Sequence, residues 1–125
     1  MRQAPLIAAA LALFCLLAGQ ARADGNADNG AKLFKLKCGL CHSAQAGQNK
    51  VGPSLAGVVG RKAGTAEKYS YSEAMKNSGL TWDAPTLDIY LTKPKTKVPG
   101  TKMTFVGLPN ESDRADIIAY LSTLK

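Results

Sequence analysis

The stretch CGLCH, residues 38–42, holds two of the three cysteines in the chain and its only histidine. These residue types bind metals and attach cofactors, so a chain that concentrates them in five positions has to fold around whatever they hold. A two-residue spacer between cysteines occurs in several kinds of site. The rest of the sequence is needed to choose among them.

The N-terminus predicts export. Arg2 precedes an uncharged apolar run over residues 6–18, and the sequence ARA at residues 21–23 fits a signal-peptidase site. The run is too short for a spanning helix, which needs about 20 apolar residues. Cys15 follows the bulky Phe14, which does not fit a lipoprotein signal. We therefore expect residues 1–23 to be a secretory signal peptide, cleaved after Ala23, and the protein to act in the periplasm.

The expected mature chain, residues 24–125, is one small domain. It keeps 14 basic and 9 acidic side chains, a net charge of +5, and only two cysteines. A chain of this size builds a modest core unaided, and small domains often add a disulfide, a metal or a cofactor. No further apolar run could cross a membrane, so we expect a soluble protein.

Four interpretations of CGLCH can be compared. A structural disulfide is the ordinary expectation in an exported chain, but such bridges usually join distant segments. A thioredoxin-like pair requires a βαβ pattern, which is not evident. A zinc site needs about four ligands, and one histidine with two cysteines leaves it short. The pentapeptide is the attachment signature of c-type haem, which the sequence favours: Cys38 and Cys41 bind the vinyl groups and His42 lies against the iron.

The residues alone leave several candidates for the second axial ligand. With a single histidine, the position is left to methionine, to lysine, to a weaker ligand, or to none. Met75 follows a pattern typical of a helix, in which Ser70 and Glu73 form a capping box, and is expected to pack inward. Met103 follows Pro99 and Gly100 in a predicted turn, where a thioether can reach a metal, so local structure favours Met103.

The pattern along the chain predicts an all-α fold of short helices and long loops around the haem. Residues 28–40 are predicted to form a helix that runs into the attachment site. Residues 43–65, rich in glycine, are predicted to be loop. A third helix is expected to begin near Asp83 and to stop before Pro94, with Leu87, Tyr90 and Leu91 buried. Asn110 is the predicted N-cap of the last helix.

With these motifs in place, the sequence resembles the class I cytochromes c, and among them the mitochondrial-like cytochromes of the bacterial periplasm. The first helix carries GAKLF (30–34), which is similar to the family's Gly-x-x-x-Phe, and RADIIAYL (114–121) is similar to its final helix. The stretches VGPSLAGVVGRKAG (51–64) and PGTKM (99–103) also match closely. The likeness covers the mature chain, and it identifies Met103 as the axial ligand opposite His42.

The resemblance also implies supporting roles. Pro53 matches a proline whose carbonyl accepts the other imidazole N–H, which fixes the histidine tautomer. Tyr90 matches a buried tyrosine near the methionine sulfur. Four further positions match residues that hydrogen-bond the haem propionates: Arg61, Tyr71, Trp82 and Thr101. One departure is Met75, because the mitochondrial proteins usually have asparagine there, within a polar network around a buried water.

A haem with both axial positions filled favours electron transfer, and a histidine–methionine pair raises its reduction potential. Two other classes stay open: a haem peroxidase, and a gas sensor or a subunit of a larger dehydrogenase. A peroxidase needs an open or displaceable position, which the PGTKM loop disfavours. A sensor usually carries additional domains, for which the 102 residues of the expected mature chain leave no room. We therefore expect a monomeric electron carrier and not an enzyme. Its expected donor is a quinol–cytochrome c oxidoreductase, and its acceptor a terminal oxidase, a photosynthetic reaction centre or a reductase.

The basic residues suggest how such partners are bound. Six lysines are expected to surround the exposed haem edge and to attract acidic membrane complexes: Lys35, Lys37, Lys50, Lys95, Lys97 and Lys102. Nucleic acid could be attracted by the same charge, but export and the lack of interleaved aromatic residues argue against it.

Overall fold

The computed structural model describes residues 25–125. The predicted signal peptide and its cleavage site after Ala23 lie outside these residues. Five helices follow in order: α1 Ala27–Lys37, α2 Glu73–Lys76, α3 Ala84–Thr92, α4 Pro94–Lys97 and α5 Glu111–Leu121. Within the described residues there is no strand, and Lys62 and Thr81 form the isolated bridge. The all-α prediction is confirmed.

Helices α1 and α5 pack directly against each other where Gly30 meets the backbone of α5. A Cβ atom on Gly30 would lie 1.9 Å from the carbonyl oxygen of Asp116, so only glycine allows this approach. Beside the crossing, the rings of Phe34 and Tyr120 lie with their centroids 5.3 Å apart. The Asp116 carboxylate accepts hydrogen bonds from the Asn26 amide at 2.7 Å and from the Asn29 side chain at 2.6 Å.

Helix α3 contributes the buried side chains that its sequence predicts, namely Leu87, Tyr90 and Leu91. Its N-cap is Asp83, whose carboxylate accepts from the Thr86 amide at 2.8 Å. Helix α5 is capped in the same way by Asn110, as predicted. Loops join these helices across the residues between 38 and 72, and residues 25–125 contain no helix long and apolar enough to cross a membrane.

Three local predictions differ from the structure. Helix α1 ends at Lys37 rather than Leu40, because the amides of Cys38 and Gly39 both donate to the Phe34 carbonyl and turn the chain. The cap of α2 is Ser72, not Ser70. Pro94 does not only end α3: it is the first residue of α4, where its missing N–H is not needed.

Candidate functional site

A cavity of about 480 Å³ opens among the helices and loops, within the usual size range of cofactor sites. Both cysteines of the pentapeptide, its histidine, and both methionines line it. Most of the other lining side chains are apolar or aromatic, including Leu87, Leu91 and Ile117 from the core. The cavity therefore brings together residues that lie far apart in the sequence.

His42 is held from below by the loop at residues 51–53. Its Nδ1 lies 2.7 Å from the carbonyl oxygen of Pro53, and because a carbonyl only accepts, Nδ1 carries the proton. Gly52 lies flat against the ring: a Cβ there would be 2.3 Å from Cε1. Burial lowers the pKa of His42, and this effect outweighs the hydrogen bond to Pro53, which raises it. The imidazole is thus neutral, and Nε2 remains free to bind a metal.

Met103 is held by a hydroxyl group. The Tyr90 hydroxyl donates to the Met103 sulfur at 3.0 Å, and the Met103 amide donates to the Thr101 hydroxyl at 3.3 Å. Burial raises the pKa of Tyr90, although a bond with Thr101 opposes this, so the phenol remains a donor. Thioether sulfur has two lone pairs, and the hydrogen bond leaves one of them available to a metal.

The two cysteines lie just after the end of α1, where the chain turns and the amides of Cys41 and His42 both donate to the Cys38 carbonyl. Burial, and then the proximity of Cys41, raises the pKa of the Cys38 thiol to about 11. Catalytic redox pairs have lowered thiol pKa values instead. This environment and the all-α fold both argue against a thioredoxin-like function.

The polar atoms of the cavity are few, and one of them lacks a partner among residues 25–125. The guanidinium of Arg61 donates to the carbonyls of Ala56 at 3.1 Å and Ser54 at 3.2 Å, while its buried Nε has no hydrogen-bond partner in this described part of the chain. A buried donor without an acceptor is costly, by about 1–3 kcal/mol. A carboxylate at the cavity wall, such as a haem propionate, would supply that acceptor, so the residues fit a haem.

All six supporting residues implied by the resemblance line the cavity: Pro53, Arg61, Tyr71, Trp82, Tyr90 and Thr101. The hydroxyl of Tyr71 accepts from the Ala66 amide at 3.1 Å, which leaves its own proton free to donate. Met75 is also in the wall and is buried, as its helical pattern predicts. The axial roles of His42 and Met103 are consistent with these positions and stay predictions.

The predicted docking lysines are not equivalent. Lys37 and Lys102 belong to the cavity wall, whereas the other four lie outside it. Lys50 donates to the Gly39 carbonyl at 2.6 Å, and Lys97 is half-buried. Around the pentapeptide, Leu40 and Val51 expose 85% and 76% of their surface, so apolar side chains share this face with the lysines.

Sequence reasoning did not identify three residues of this site. Gly52 supports the His42 ring, Tyr69 lies in the cavity wall, and Val51 accepts a hydrogen bond from the Tyr69 hydroxyl at 2.9 Å. A glycine beside a proline is a signal of close backbone approach. The contact of Tyr69 joins residues 18 positions apart and has no local signature.

Comparison with known proteins agrees with this geometry. The family model described as cytochrome c matches residues 27–125. Cytochrome c2 of Rhodoblastus acidophilus is 61% identical over 102 residues, which is 81% of this chain and 94% of that protein. Cytochrome c of Euglena viridis is 50% identical over 101 residues, covering 81% of this chain and 99% of its own.

A solved structure is similar as well. Cytochrome cH from Methylobacterium extorquens superposes with a TM-score of 0.74 at 51% sequence identity. The match covers 79% of this chain and 99% of that one. The similarity therefore extends over nearly all of the described residues.

Proposed function

The chain belongs to the cytochrome c family, and we propose that it is a soluble periplasmic protein that carries single electrons from a quinol-oxidising complex to a terminal acceptor. Members of this family are electron carriers rather than enzymes, and they bind one covalent c-type haem, for which Cys38 and Cys41 fit the attachment motif. When bound, the haem supplies the one-electron couple of its iron. The acceptor is a terminal oxidase, a photosynthetic reaction centre or a reductase.

The observation that carries the proposal is that His42 and Met103 line one cavity, and each is fixed by a hydrogen bond to the protein. The Pro53 carbonyl holds the imidazole in one tautomer and raises its basicity. The Tyr90 hydroxyl holds the sulfur in place. Residues that need no rearrangement to act as ligands keep the site similar in both oxidation states, which favours rapid electron transfer.

The haem propionates also have hydrogen-bond donors in this chain. Arg61 offers its unpaired Nε, and Tyr71 offers a hydroxyl proton, at the cavity wall. Trp82 and Thr101 complete the set that we assign to the propionates. Their donors satisfy carboxylates that would otherwise be buried at a cost.

Docking rests on the net charge of +5 for residues 24–125, from 14 basic and 9 acidic side chains, and on where the lysines lie. Lys37 and Lys102 are exposed and belong to the cavity wall, so they would place positive charge beside the bound cofactor. Lys35, Lys50, Lys95 and Lys97 extend that charge over the neighbouring surface. An acidic partner is attracted to such a face and is oriented with it, which raises association rates by about 10–10³-fold at low salt.

The ligand assignment can be tested by changing each methionine in turn. Methionine bound to ferric haem iron gives a weak near-infrared band. In Met103→Ala we expect this band to be lost completely, the reduction potential to fall, and imidazole to bind readily. In Met75→Leu, a swap of similar volume that costs less than about 1.5 kcal/mol, we expect the band to persist. The measurements are the ferric optical spectrum and a redox titration.

Met75→Leu is the matched control, because both methionines line the same cavity. Loss of the band in Met75→Leu with retention in Met103→Ala would reverse the assignment. Retention in both single variants would mean that either methionine can bind the iron, and absence of the band from the wild-type protein would mean that a residue other than methionine binds it.

A further inference from the structure

The segment at residues 66–71 crosses one side of the cavity and has an unusual backbone. Lys68 has a φ of 56°, and it is the only residue besides glycine with a positive φ among residues 25–125. Such a conformation costs about 1–3 kcal/mol and persists only where surrounding contacts enforce it. Here the side chain of Asn49 donates to the Glu67 carbonyl at 2.9 Å, which fixes one end of the turn.

Tyr69, the next residue, contacts the loop beneath the histidine. Its hydroxyl donates to the carbonyl of Val51 at 2.9 Å, one residue before Gly52, which supports the His42 ring. Its ring lies edge-on to that of Tyr71, with centroids 4.8 Å apart. The phenol is half-buried and forms part of the cavity wall.

Lys102, in the loop at residues 99–104, approaches the ring of Tyr69. Its ammonium lies 4.6 Å from the centroid of the Tyr69 ring and also donates to the carbonyl of Ser70. Lys102 is adjacent to Met103 in the chain. A single aromatic side chain therefore contacts the methionine loop with its ring and the histidine loop with its hydroxyl.

We propose that Tyr69 is a positioning residue for Met103. Tyr69 connects the loop at residues 99–104, which carries Met103, to the loop at residues 51–53, which supports His42, and it thereby slows the movement of the sulfur out of the cavity. The inference rests on the proposed ligation by Met103. An outward motion of the loop at residues 99–104 would carry the sulfur out of the cavity, and it would separate Lys102 from both Tyr69 and the Ser70 carbonyl. The hydroxyl bond to Val51 prevents Tyr69 from following Lys102.

The contacts predict graded effects. Tyr69→Phe keeps the ring under Lys102 and removes only the bond to Val51, so we expect the loop to open about threefold to tenfold faster. Tyr69→Leu removes the ring interaction as well, so we expect the loop to open about tenfold to thirtyfold faster than in wild type. Because the cation–π contact and the bond to Val51 both hold Tyr69 between the two loops, both variants should accelerate the same opening, and the loss of both contacts should accelerate it more.

The experiment measures the rate at which imidazole replaces the methionine sulfur in the ferric holoprotein, followed by loss of the near-infrared band. At saturating imidazole this rate equals the rate of loop opening, independent of imidazole affinity. Tyr120→Phe is the matched control, since it removes a phenol hydroxyl at the crossing of α1 and α5, away from the cavity. We expect it to open at the wild-type rate.

A double variant tests the route of the effect. In a Lys102→Leu background, Tyr69→Leu should accelerate opening less than it does in wild type, because the contact it removes is already absent. Wild-type opening rates in both Tyr69 variants would overturn the inference and leave the proposed ligation standing. If the wild-type ferric protein lacked the band altogether, the ligation itself would be wrong and the inference would fall with it.

Discussion

Gly52→Ala is the substitution that most directly tests how the histidine is supported. Gly52 is not among the residues with positive φ, so alanine suits its backbone, and any effect comes from the added methyl group. That methyl would lie 2.3 Å from Cε1, 2.6 Å from Nδ1 and 2.9 Å from Nε2 of His42. Ordinary contact begins at 3.4 Å, so the ring and the loop have to separate by about 1 Å.

The cost can be built from two contributions. Overpacking of this kind costs about 1–3 kcal/mol. A shift of this size also lengthens the 2.7 Å contact between Nδ1 and the Pro53 carbonyl beyond hydrogen-bond distance, which adds about 1 kcal/mol. A loss of about 2–4 kcal/mol corresponds to a fall in Tm of about 8–30 °C for a domain of this size.

The assay is thermal unfolding of the ferric holoprotein, followed by circular dichroism, together with a redox titration. We expect the reduction potential to change as well, because the Pro53 bond governs the basicity of the imidazole. Gly39→Ala is the control: it lies in the same pentapeptide, and its Cβ would be 3.1 Å from the nearest atom, the Lys35 carbonyl oxygen. A Tm for Gly52→Ala equal to that of wild type, or no lower than that of Gly39→Ala, would refute the steric argument.

Two further predictions concern charge. Lys37→Glu and Lys95→Glu should slow electron transfer with a purified quinol-oxidising complex and weaken its salt dependence, whereas Lys125→Glu should match wild type; a flat salt dependence in wild type would contradict steering. Hydrogen bonds from Asn29, and then from Asn26, lower the pKa of Asp116 below 3.8, so its stabilising effect is full above pH 3.8 and is lost as the pH falls through the lowered value. Acid unfolding of Asp116→Asn should lack this component, and an unchanged profile of unfolding against pH would contradict it.

The sequence predicts well those parts of the fold that depend on residues close together in the chain. The apolar side chains of α3 and the cap Asn110 depend on spacing within one helix, and they lie where the pattern places them. The cap of α2 was assigned to the wrong serine because Ser70 and Ser72 both precede Glu73. The carbonyl of Ser70 instead binds Lys102, a contact across 32 residues.

The candidate site divides in the same way. The pentapeptide signals its own chemistry, and the resemblance adds the six supporting residues that line the cavity. The contribution of Gly52 depends on the ring that packs against it, and that of Tyr69 on two loops which approach each other only in the folded chain. No periodicity or capping pattern encodes such contacts, so they become visible only in three dimensions.

The close crossing of α1 and α5 at Gly30 has a consequence for how the chain comes apart. It joins the two ends of the described chain, so the residues between them form a closed ring about the cavity. The entropic cost of closing such a loop rises only slowly with its length, so most of this cost is already incurred when the two ends pack together. We therefore expect a segment such as residues 99–104 to open and close while the two ends remain packed together, at a free-energy cost below that of complete unfolding.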